Sequence, residues 1–377
     1  MKISDVLDVV LAGSYVTDSS QSVNNSQNRS EIIMGMSVQL YNEEGTEWDA
    51  FVLSNQDSTN YHLYGWRHVI EKSFGHKTFY LTARDRANVI HGLLPLVSMQ
   101  SPLFGKFLVS LPFFNYGGII CNNMETGTLL LKESDAIREG VSAQYTELRH
   151  LGIRQEGLAT KEHKVTMILD LEKNEEMQWK ALNAKVRNQV RKAEKCGLKA
   201  VTGHLDLLDG FYEVFCRNMR DLGTPVYSRK FFQNVLETFP ESSRIISIKL
   251  GEKTVASGIL LWFRDTLEVP WASSINDFRE KCPNNLLYWE AIKFAIEKKL
   301  TKFDFGRSTP DEGTYRFKKQ WGALPVQLYW QYLLEEGREL PELNPDNPKY
   351  RLAIKVWQKL PVALTKMLGP FIVRNIP

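Results

Sequence analysis

Two stretches, YLTARDRANVIHGLLPLV (residues 80–97) and IISIKLGEKTVASGILLWF (residues 245–263), decide the fold of this chain. Each contains an apolar run, a short polar turn and a second apolar run, which is the pattern of a β-hairpin. Residues 89–94 of the first stretch align with residues 255–260 of the second, glycine against glycine. This similarity favours an internal duplication.

The elements that follow each hairpin also come in the same order. In each half we expect a further strand, a helix and a last strand, with the helices at 125–139 and 284–299. The last strands are AQYTELRH (143–150) and KFDFGRS (302–308). Strands interleaved with helices place the chain in the α/β (α+β) class, with mixed central sheets flanked by helices.

The chain divides into four predicted segments. Residues 1–31 are predicted to form a flexible arm, because a polar stretch cannot bury enough apolar surface to offset its ordering entropy. Residues 32–160 and 161–336 are the two predicted domains, and 337–377 hold a proline-rich linker and an amphipathic tail. Within the second domain, residues 175–195 are predicted to form one long helix.

The tail, residues 350–377, is apolar and basic, and Pro361 and the Gly369-Pro370 pair divide it into short helices. Two interpretations remain open for it. It lies peripherally on the inner membrane surface, or it packs back on the body of the protein.

Composition and the absence of several motifs exclude many classes of function. The 377 residues carry a net charge of +3, and the four cysteines and seven histidines show neither CxxC nor HExxH spacing, so we predict no metal site. The sequence also lacks a GxSxG elbow, a P-loop and a dinucleotide fingerprint. The N-terminus does not resemble a signal peptide, and no apolar run is long enough to span a membrane. We expect a cytoplasmic protein, with the membrane face as a candidate position.

The order hairpin, strand, helix, strand resembles acyltransferases of the GNAT superfamily, so two tandem GNAT-like domains are the expected fold. Such enzymes hold acyl-CoA pyrophosphate on backbone N–H groups at a helix start, in an R/QxxGxG/A turn. At that place this sequence has NDFREKCPNN (276–285), which lacks glycine and contains Pro283. The missing turn favours an acyl donor other than plain acetyl-CoA, and we expect the donor, acyl-CoA included, to enter as a co-substrate, with no tightly bound cofactor.

A more specific resemblance rests on FDFGRS (303–308) followed by FKKQWG (317–322). These motifs are similar to those of the FemAB aminoacyltransferases and their BioF2-like relatives. LGTPVYSRKFF (222–232), NPDNPKYRLAIKVWQKLP (344–361) and LGPFIVR (368–374) resemble the FemAB-related subgroup of PEP-CTERM/exosortase systems. The resemblance implies transfer of an acyl or aminoacyl group to an amine on a peptidoglycan, cell-envelope or exopolysaccharide precursor. In true Fem ligases the donor is aminoacyl-tRNA, so tRNA is a candidate partner.

The same motifs supply the predicted catalytic residues. Lys318 matches the Fem lysine and would stabilise the oxyanion that forms when an amine attacks an ester; the alternative is a solvated helix residue. Asp304 would serve as base or orient the nucleophile, or it would instead pair with Arg307. Arg307 would bind a phosphate of the acceptor. Phe317 is also assigned to substrate binding, and its i,i+4 spacing from Trp321 would anchor the turn.

Two further groups are predicted to bind substrate. Arg187 and Arg191 belong to a basic helical stripe that suits tRNA, a nucleotide-sugar diphosphate or an anionic lipid carrier, or that is simply solvated. Tyr116 and Gly117 line an acceptor groove, or form a plain tight turn. Two rival functions remain: an acyl-CoA-dependent N-acetyltransferase, and a non-catalytic scaffold of a polymer-synthesis system.

Overall fold

The computed structural model describes residues 35–101, 105–152, 154–335, 337–341 and 348–376. The predicted arm 1–31 and most of the proline-rich linker lie outside the described residues.

Fourteen strands form one continuous mixed sheet in the described part of the chain. In chain order they are β1 (Ser37–Leu40), β2 (Lys77–Arg84), β3 (Ile90–Ser101), β4 (Gly105–Val109), β5 (Ile120–Cys121), β6 (Tyr145–Leu151), β7 (Ala159–Lys161), β8 (Val165–Asp170), β9 (Leu198–Gly203), β10 (Ser243–Leu250), β11 (Lys253–Phe263), β12 (Thr266–Ser274), β13 (Lys302–Ser308) and β14 (Leu324–Leu334). The strand order is β1-β2-β3-β4-β6-β14-β8-β13-β12-β11-β10-β9, with β5 beside β3 and β7 beside β14.

Helices cover the sheet. They are α1 (Thr46–Ser54), α2 (Gly65–Phe74), α3 (Met124–Gly140), α4 (Glu175–Ala181), α5 (Ala184–Lys195), α6 (Leu208–Leu222), α7 (Arg229–Thr238), α8 (Pro283–Glu297), α9 (Gly313–Lys319), α10 (Pro348–Lys359) and α11 (Val362–Val373). Short 3₁₀ helices lie at Asn60–His62, Leu205–Leu207 and Asn276–Lys281.

The predicted repetition of elements is present in the structure. The β2–β3 hairpin, β4, α3 and β6 of the first half correspond to the β10–β11 hairpin, β12, α8 and β13 of the second. In each half the strand before the helix and the strand after it run parallel, β4 with β6 and β12 with β13. Both parallel ladders are short. They end at Val109–Glu147 and at Glu268–Asp304, so each half places a carboxylate where its strands diverge.

Strand β14 joins the two half-sheets into one. Its first residues, 324–327, pair with β8 of the second half, and residues 328–334 pair with β6 of the first. Neither half is left with a bare strand edge at the junction, which would otherwise expose a row of unpaired backbone groups.

The two halves also share a hydrophobic core. Trp66 lies 4.5 Å from Phe114 between ring centroids, and both belong to the first half. Phe231 and Trp271 of the second half continue the cluster at 5.4 Å from each other, and Phe114 lies 5.8 Å from Trp271. Apolar aromatic packing therefore fixes the position of one half against the other.

The prediction of a single helix over 175–195 is wrong. The chain breaks into α4 and α5 at Leu182 and Asn183, where Leu182 is extended and buried. The side chain of Asn183 accepts a hydrogen bond of 2.9 Å from the Lys185 N–H and begins a new helix. An asparagine side chain competes for backbone donors in this way, and burial of Leu182 holds the break.

The tail packs on the body through one of its faces. The Gln358 amide donates to the Asp221 carbonyl at 3.0 Å, Arg220 donates to the Leu360 carbonyl at 3.1 Å, and Arg374 donates to the Phe74 carbonyl at 2.7 Å. No helix in the described residues is long and apolar enough to cross a membrane.

Replacement of the capping residue should destabilise the protein. We expect Asn183→Ala to lower the free energy of unfolding by about 1 kcal/mol, because the α5 N-terminus loses its side-chain acceptor. Asn188→Ala is the matched control, since the same change in the interior of α5 removes a poor helix former and should be neutral or mildly stabilising. Urea unfolding of the three proteins measures both effects. Equal destabilisation by the two variants would contradict the capping role.

Candidate active site between the two halves

The candidate site begins at a β-bulge in β13. The pairing of β13 with β8 shifts between Asp304 and Arg307, and Gly306 between them has φ of 75°. A residue with a side chain rarely adopts this left-handed conformation, so the motif needs glycine here. The bulge directs the Gly306 N–H to Asp304 Oδ1 at 2.7 Å.

Lys318 of α9 is buried against this bulge. Only 7% of the residue is exposed, and its Nζ donates to the carbonyls of Gly306 and Arg307, each at 2.8 Å. An ammonium has three donors, so one remains for a further acceptor. Burial lowers the pKa of Lys318 to about 8, against the opposing effect of Asp304 and Glu268. The neighbouring Lys319 is exposed, so the solvated position belongs to Lys319 and not to Lys318.

Asp304 accepts three hydrogen bonds in the interior between the halves. Its donors are the Tyr116 hydroxyl at 2.5 Å, the Thr166 hydroxyl at 2.6 Å and the Gly306 N–H. Burial raises the pKa of this carboxyl, and the three hydrogen bonds act in the opposite direction. Tyr116 comes from the first half and Thr166 from the second, so Asp304 links the two.

The predicted pairing of Asp304 with Arg307 is wrong. Arg307 is exposed, and its guanidinium lies 5.2 Å from the centre of the Trp330 ring. Asp304 is buried and is satisfied by neutral donors that the interior provides, so it does not need the guanidinium as a partner. Among the described residues, Arg307 has no carboxylate partner within 4.0 Å, which leaves it available for an anionic group.

Glu268 is a site residue that sequence reasoning missed. It lies opposite Asp304 in the β12–β13 ladder and is buried. Burial and the charge of Asp304 raise the pKa of Glu268 well above its ordinary value. Among the described residues, neither Glu268 Oε1 nor the hydroxyl of Tyr61, whose ring lies 5.2 Å from that of Tyr116, has a hydrogen-bond partner. An acidic residue inside the otherwise apolar strand TLEVPWASS was the available signal.

The charges of this cluster balance in one protonation state. Asp304, with three donors, is the carboxyl whose ionised form is stabilised. Burial and the charge of Asp304 favour the protonated form of Glu268. With Glu268 protonated, the Lys318 ammonium would balance the Asp304 carboxylate, which avoids the cost of an unpaired charge in the interior.

A cationic surface surrounds Trp330 next to this cluster. The Arg149 guanidinium lies 4.4 Å from the Trp330 ring and is paired with Glu147 at 2.7 Å. Lys164 donates to the Thr309 hydroxyl at 2.5 Å and has no carboxylate partner among the described residues. Arg149 is buried and already paired, so Arg307 and Lys164 are the cations that suit a phosphate or carboxylate.

A pocket of about 310 Å³ lies in the first half, beside the cluster. Tyr116, Gly117 and Gly118 form one wall, and His62 and His150 face them. Burial lowers the pKa of both histidines to about 4, so they are neutral at physiological pH. Tyr116 both lines the pocket and donates to Asp304, so this tyrosine connects the pocket with the buried charges.

The other predicted residues lie elsewhere. Phe317 contacts Tyr288 and Trp321 at ring distances of 5.5 and 6.3 Å, on the core side of α9. Arg187 donates to the carbonyls of Trp179 and Lys180 at the end of α4. Arg191 lies over the Trp179 ring at 5.3 Å. Both arginines thus hold α4 against α5, although Arg191 is also exposed. Lys185, Lys192 and Lys195 are further exposed cations of α5.

Part of this chain is similar to a known protein family and to a curated enzyme. Residues 180–319 match the family described as the Acetyltransferase (GNAT) domain. Over 119 residues the chain is 32% identical to the lipid II:glycine glycyltransferase of Staphylococcus epidermidis, a stretch that covers 29% of this chain and 26% of the relative. The match therefore spans about a quarter of the length of that curated relative.

Solved structures show the same architecture. FemX aligns with a TM-score of 0.60 at 16% identity, over 84% of this chain and 100% of FemX. The L-PGS of Bacillus licheniformis gives 0.53 at 11% identity, over 84% and 98% of the two chains. A tandem GNAT protein of the clavulanic acid pathway gives 0.50 at 9% identity, over 81% and 100%. The predicted α/β fold of tandem GNAT type is confirmed, and residues 180–319 are the part of the chain that is similar to the GNAT acetyltransferase domain.

The buried carboxyl of Glu268 should give stability a distinct pH dependence. Its pKa is raised in the folded state, so its stabilising effect is complete below the ordinary value of 4.5 and is lost as pH rises towards the folded-state pKa. Glu268→Gln cannot ionise, so the difference between its unfolding midpoint and that of the wild type should increase in favour of the variant as pH rises above about 4.5. Glu280→Gln, at an exposed carboxylate, is the control and should follow the wild type. Parallel curves for all three proteins would contradict this charge arrangement.

Proposed function

We propose that this chain is a FemAB-like N-acyltransferase, which transfers an acyl or aminoacyl group to an amine on a peptidoglycan, cell-envelope or exopolysaccharide precursor. The observation that carries the proposal is the buried Lys318 ammonium. It is fixed by two carbonyls of the β13 bulge, retains one free donor, and lies where the β12–β13 pair diverges. The similarity to a lipid II:glycine glycyltransferase supports this assignment.

The proposed reaction is attack of the acceptor amine on the carbonyl carbon of the donor ester. A C–N bond forms, the C–O bond to the leaving group breaks, and the carbonyl oxygen carries negative charge in the intermediate. The free N–H of Lys318 stabilises this oxyanion, an interaction of a few kcal/mol when the donor is held in advance. Two backbone carbonyls hold the ammonium, so it need not reorganise during the reaction.

Glu268 completes the proton balance. The leaving oxygen gains a proton and the amine loses one, so a protonated Glu268 can give its proton to the leaving group and regain one from the amine. Asp304 is less suited to this task, because its oxygens already accept hydrogen bonds from Tyr116, Thr166 and Gly306. Its role is to hold Tyr116 and the bulge in place.

The acyl donor is proposed to be aminoacyl-tRNA. The chain before α8 forms a 3₁₀ helix, and Pro283 stands at the first position of α8, so this turn lacks the glycines that cradle a pyrophosphate. The exposed cations Lys185, Lys192 and Lys195 of α5 suit a nucleic-acid backbone. The match to the GNAT domain favours acyl-CoA as the second candidate donor.

The acceptor is proposed to bind in the pocket beside Tyr116, with an anionic group on Arg307 and Lys164. We further propose that the precursor belongs to a PEP-CTERM/exosortase system, since the motifs in residues 222–232 and 344–374 resemble that subgroup. Mass spectrometry of envelope and exopolysaccharide precursors in a deletion strain tests this part. An unchanged precursor profile would contradict it and would favour a non-catalytic scaffold.

Lys318 is expected to be essential for transfer. Lys318→Met keeps most of the buried alkyl chain and removes the ammonium, and should lower kcat by about a hundred- to a thousand-fold, the effect of losing one oxyanion donor. Lys319→Met is the matched control on the exposed neighbour and should leave kcat unchanged. Activity is measured with purified donor and acceptor, and thermal unfolding shows whether each variant folds.

The pH profile supplies a second test of the lysine. The ammonium is present below the pKa of about 8 and is lost above it, so kcat of the wild type should fall as pH rises through about 8. If Lys318→Met transferred the acyl group at the wild-type rate, the proposed oxyanion-stabilising role of Lys318 would be contradicted.

Two donors can be compared directly. If the donor is aminoacyl-tRNA, transfer should occur with charged tRNA and not with acetyl-CoA, and substitution of Lys185, Lys192 and Lys195 by glutamine should raise KM for tRNA and leave kcat unchanged. The same change at Lys72, Lys132 and Lys173 is the control of equal charge. Transfer from acetyl-CoA alone would establish the second candidate.

A further inference from the structure

Helix α11 uses one stripe of residues to pack on the protein. Val362, Thr365, Gly369 and Val373 follow one another at helical spacing and face the body. The fit is closest at Gly369, where a Cβ would lie 2.7 Å from the backbone nitrogen of Val226. The orientation of α11 on the body is therefore fixed.

The opposite stripe of α11 is apolar and faces solvent. Met367 and Phe371, one turn apart, are 59% and 68% exposed. Ala363 extends the stripe at one end, and Arg374 follows it at the other. A solvated surface helix normally carries polar residues on its outer face, so an apolar outer face indicates a surface that is covered in use.

The charge on this region has a single sign. Residues 348–377 contain six Lys or Arg residues and no Asp or Glu. Arg351, Lys355 and Lys359 recur every four residues along α10 and are exposed. Among the described residues, none of these three cations pairs with a carboxylate. They form a basic border beside the apolar stripe.

We propose that the outward face of α10 and α11 docks on an anionic lipid bilayer. Met367 and Phe371 enter the boundary between headgroups and acyl chains, and the α10 cations contact lipid phosphates. Large apolar side chains next to unpaired cations fit a bilayer, in which apolar acyl chains lie beneath a layer of anionic headgroups. A protein partner would need an acidic rim around an apolar patch to match it.

Vesicle flotation tests the proposal with the full chain. The wild type should float with vesicles of phosphatidylcholine mixed with phosphatidylglycerol, and not with phosphatidylcholine alone. Met367→Glu with Phe371→Glu should abolish flotation. Neutralisation of Arg351, Lys355 and Lys359 by glutamine should lower the partition coefficient on the order of a hundred-fold, since each cation near an anionic surface contributes about a factor of five.

The matched control is Leu53→Glu with Met177→Glu, which introduces the same charges at apolar residues that are 59% and 44% exposed elsewhere on the surface. It should float like the wild type, and circular dichroism verifies the fold of each variant. Absence of wild-type flotation with the anionic vesicles, or equal loss in the control, would overturn the proposal and leave this face to a protein partner. The assay reads binding alone, so its result does not depend on the proposed transfer activity.

Discussion

The structure depends on the need to satisfy one buried ammonium. The Lys318 ammonium donates two hydrogen bonds to backbone carbonyls of the β13 bulge, which stabilise its charge in the interior. Those carbonyls point at the lysine only because Gly306 adopts a left-handed conformation. The same bulge places the Gly306 N–H on Asp304. Asp304 and Gly306, two positions apart, thus form one unit with Lys318, which lies 12 residues beyond the glycine, and removal of any member leaves a buried polar group unpaired.

The unit is held between two halves that have the same fold and different tasks. In each half the parallel strands diverge beside a carboxylate, Glu147 in the first and Asp304 in the second. Glu147 is neutralised by Arg149, which stacks on Trp330. Asp304 has no such cation and is linked to Lys318 through the bulge. The repeated fold supplies two equivalent positions, of which one holds an ion pair and the other belongs to the candidate site.

The continuous sheet explains how the halves keep this geometry. Strand β14 leaves the second half and completes the first, so the two cannot separate without loss of backbone hydrogen bonds on both sides. The aromatic core around Phe114 and Trp271 adds apolar packing across the same boundary. Rigid positioning of this kind keeps Tyr116 of one half on Asp304 of the other, as a preorganised site requires.

The sequence by itself determined the order of elements and the class of fold, and it singled out FDFGRS and Lys318 as candidates, because hydrophobic periodicity, glycine positions and short motifs are local signals. It placed α3 and α8 correctly and failed at the α4–α5 break, where a capping asparagine and a buried leucine acted together. Only the tertiary structure decided the partners of Asp304, which are the Tyr116 and Thr166 hydroxyls. It also decided the membership of Glu268 in the site and the two faces of the tail. These depend on contacts between residues far apart in the chain, and burial, which sets their charge states, is a property of the folded whole.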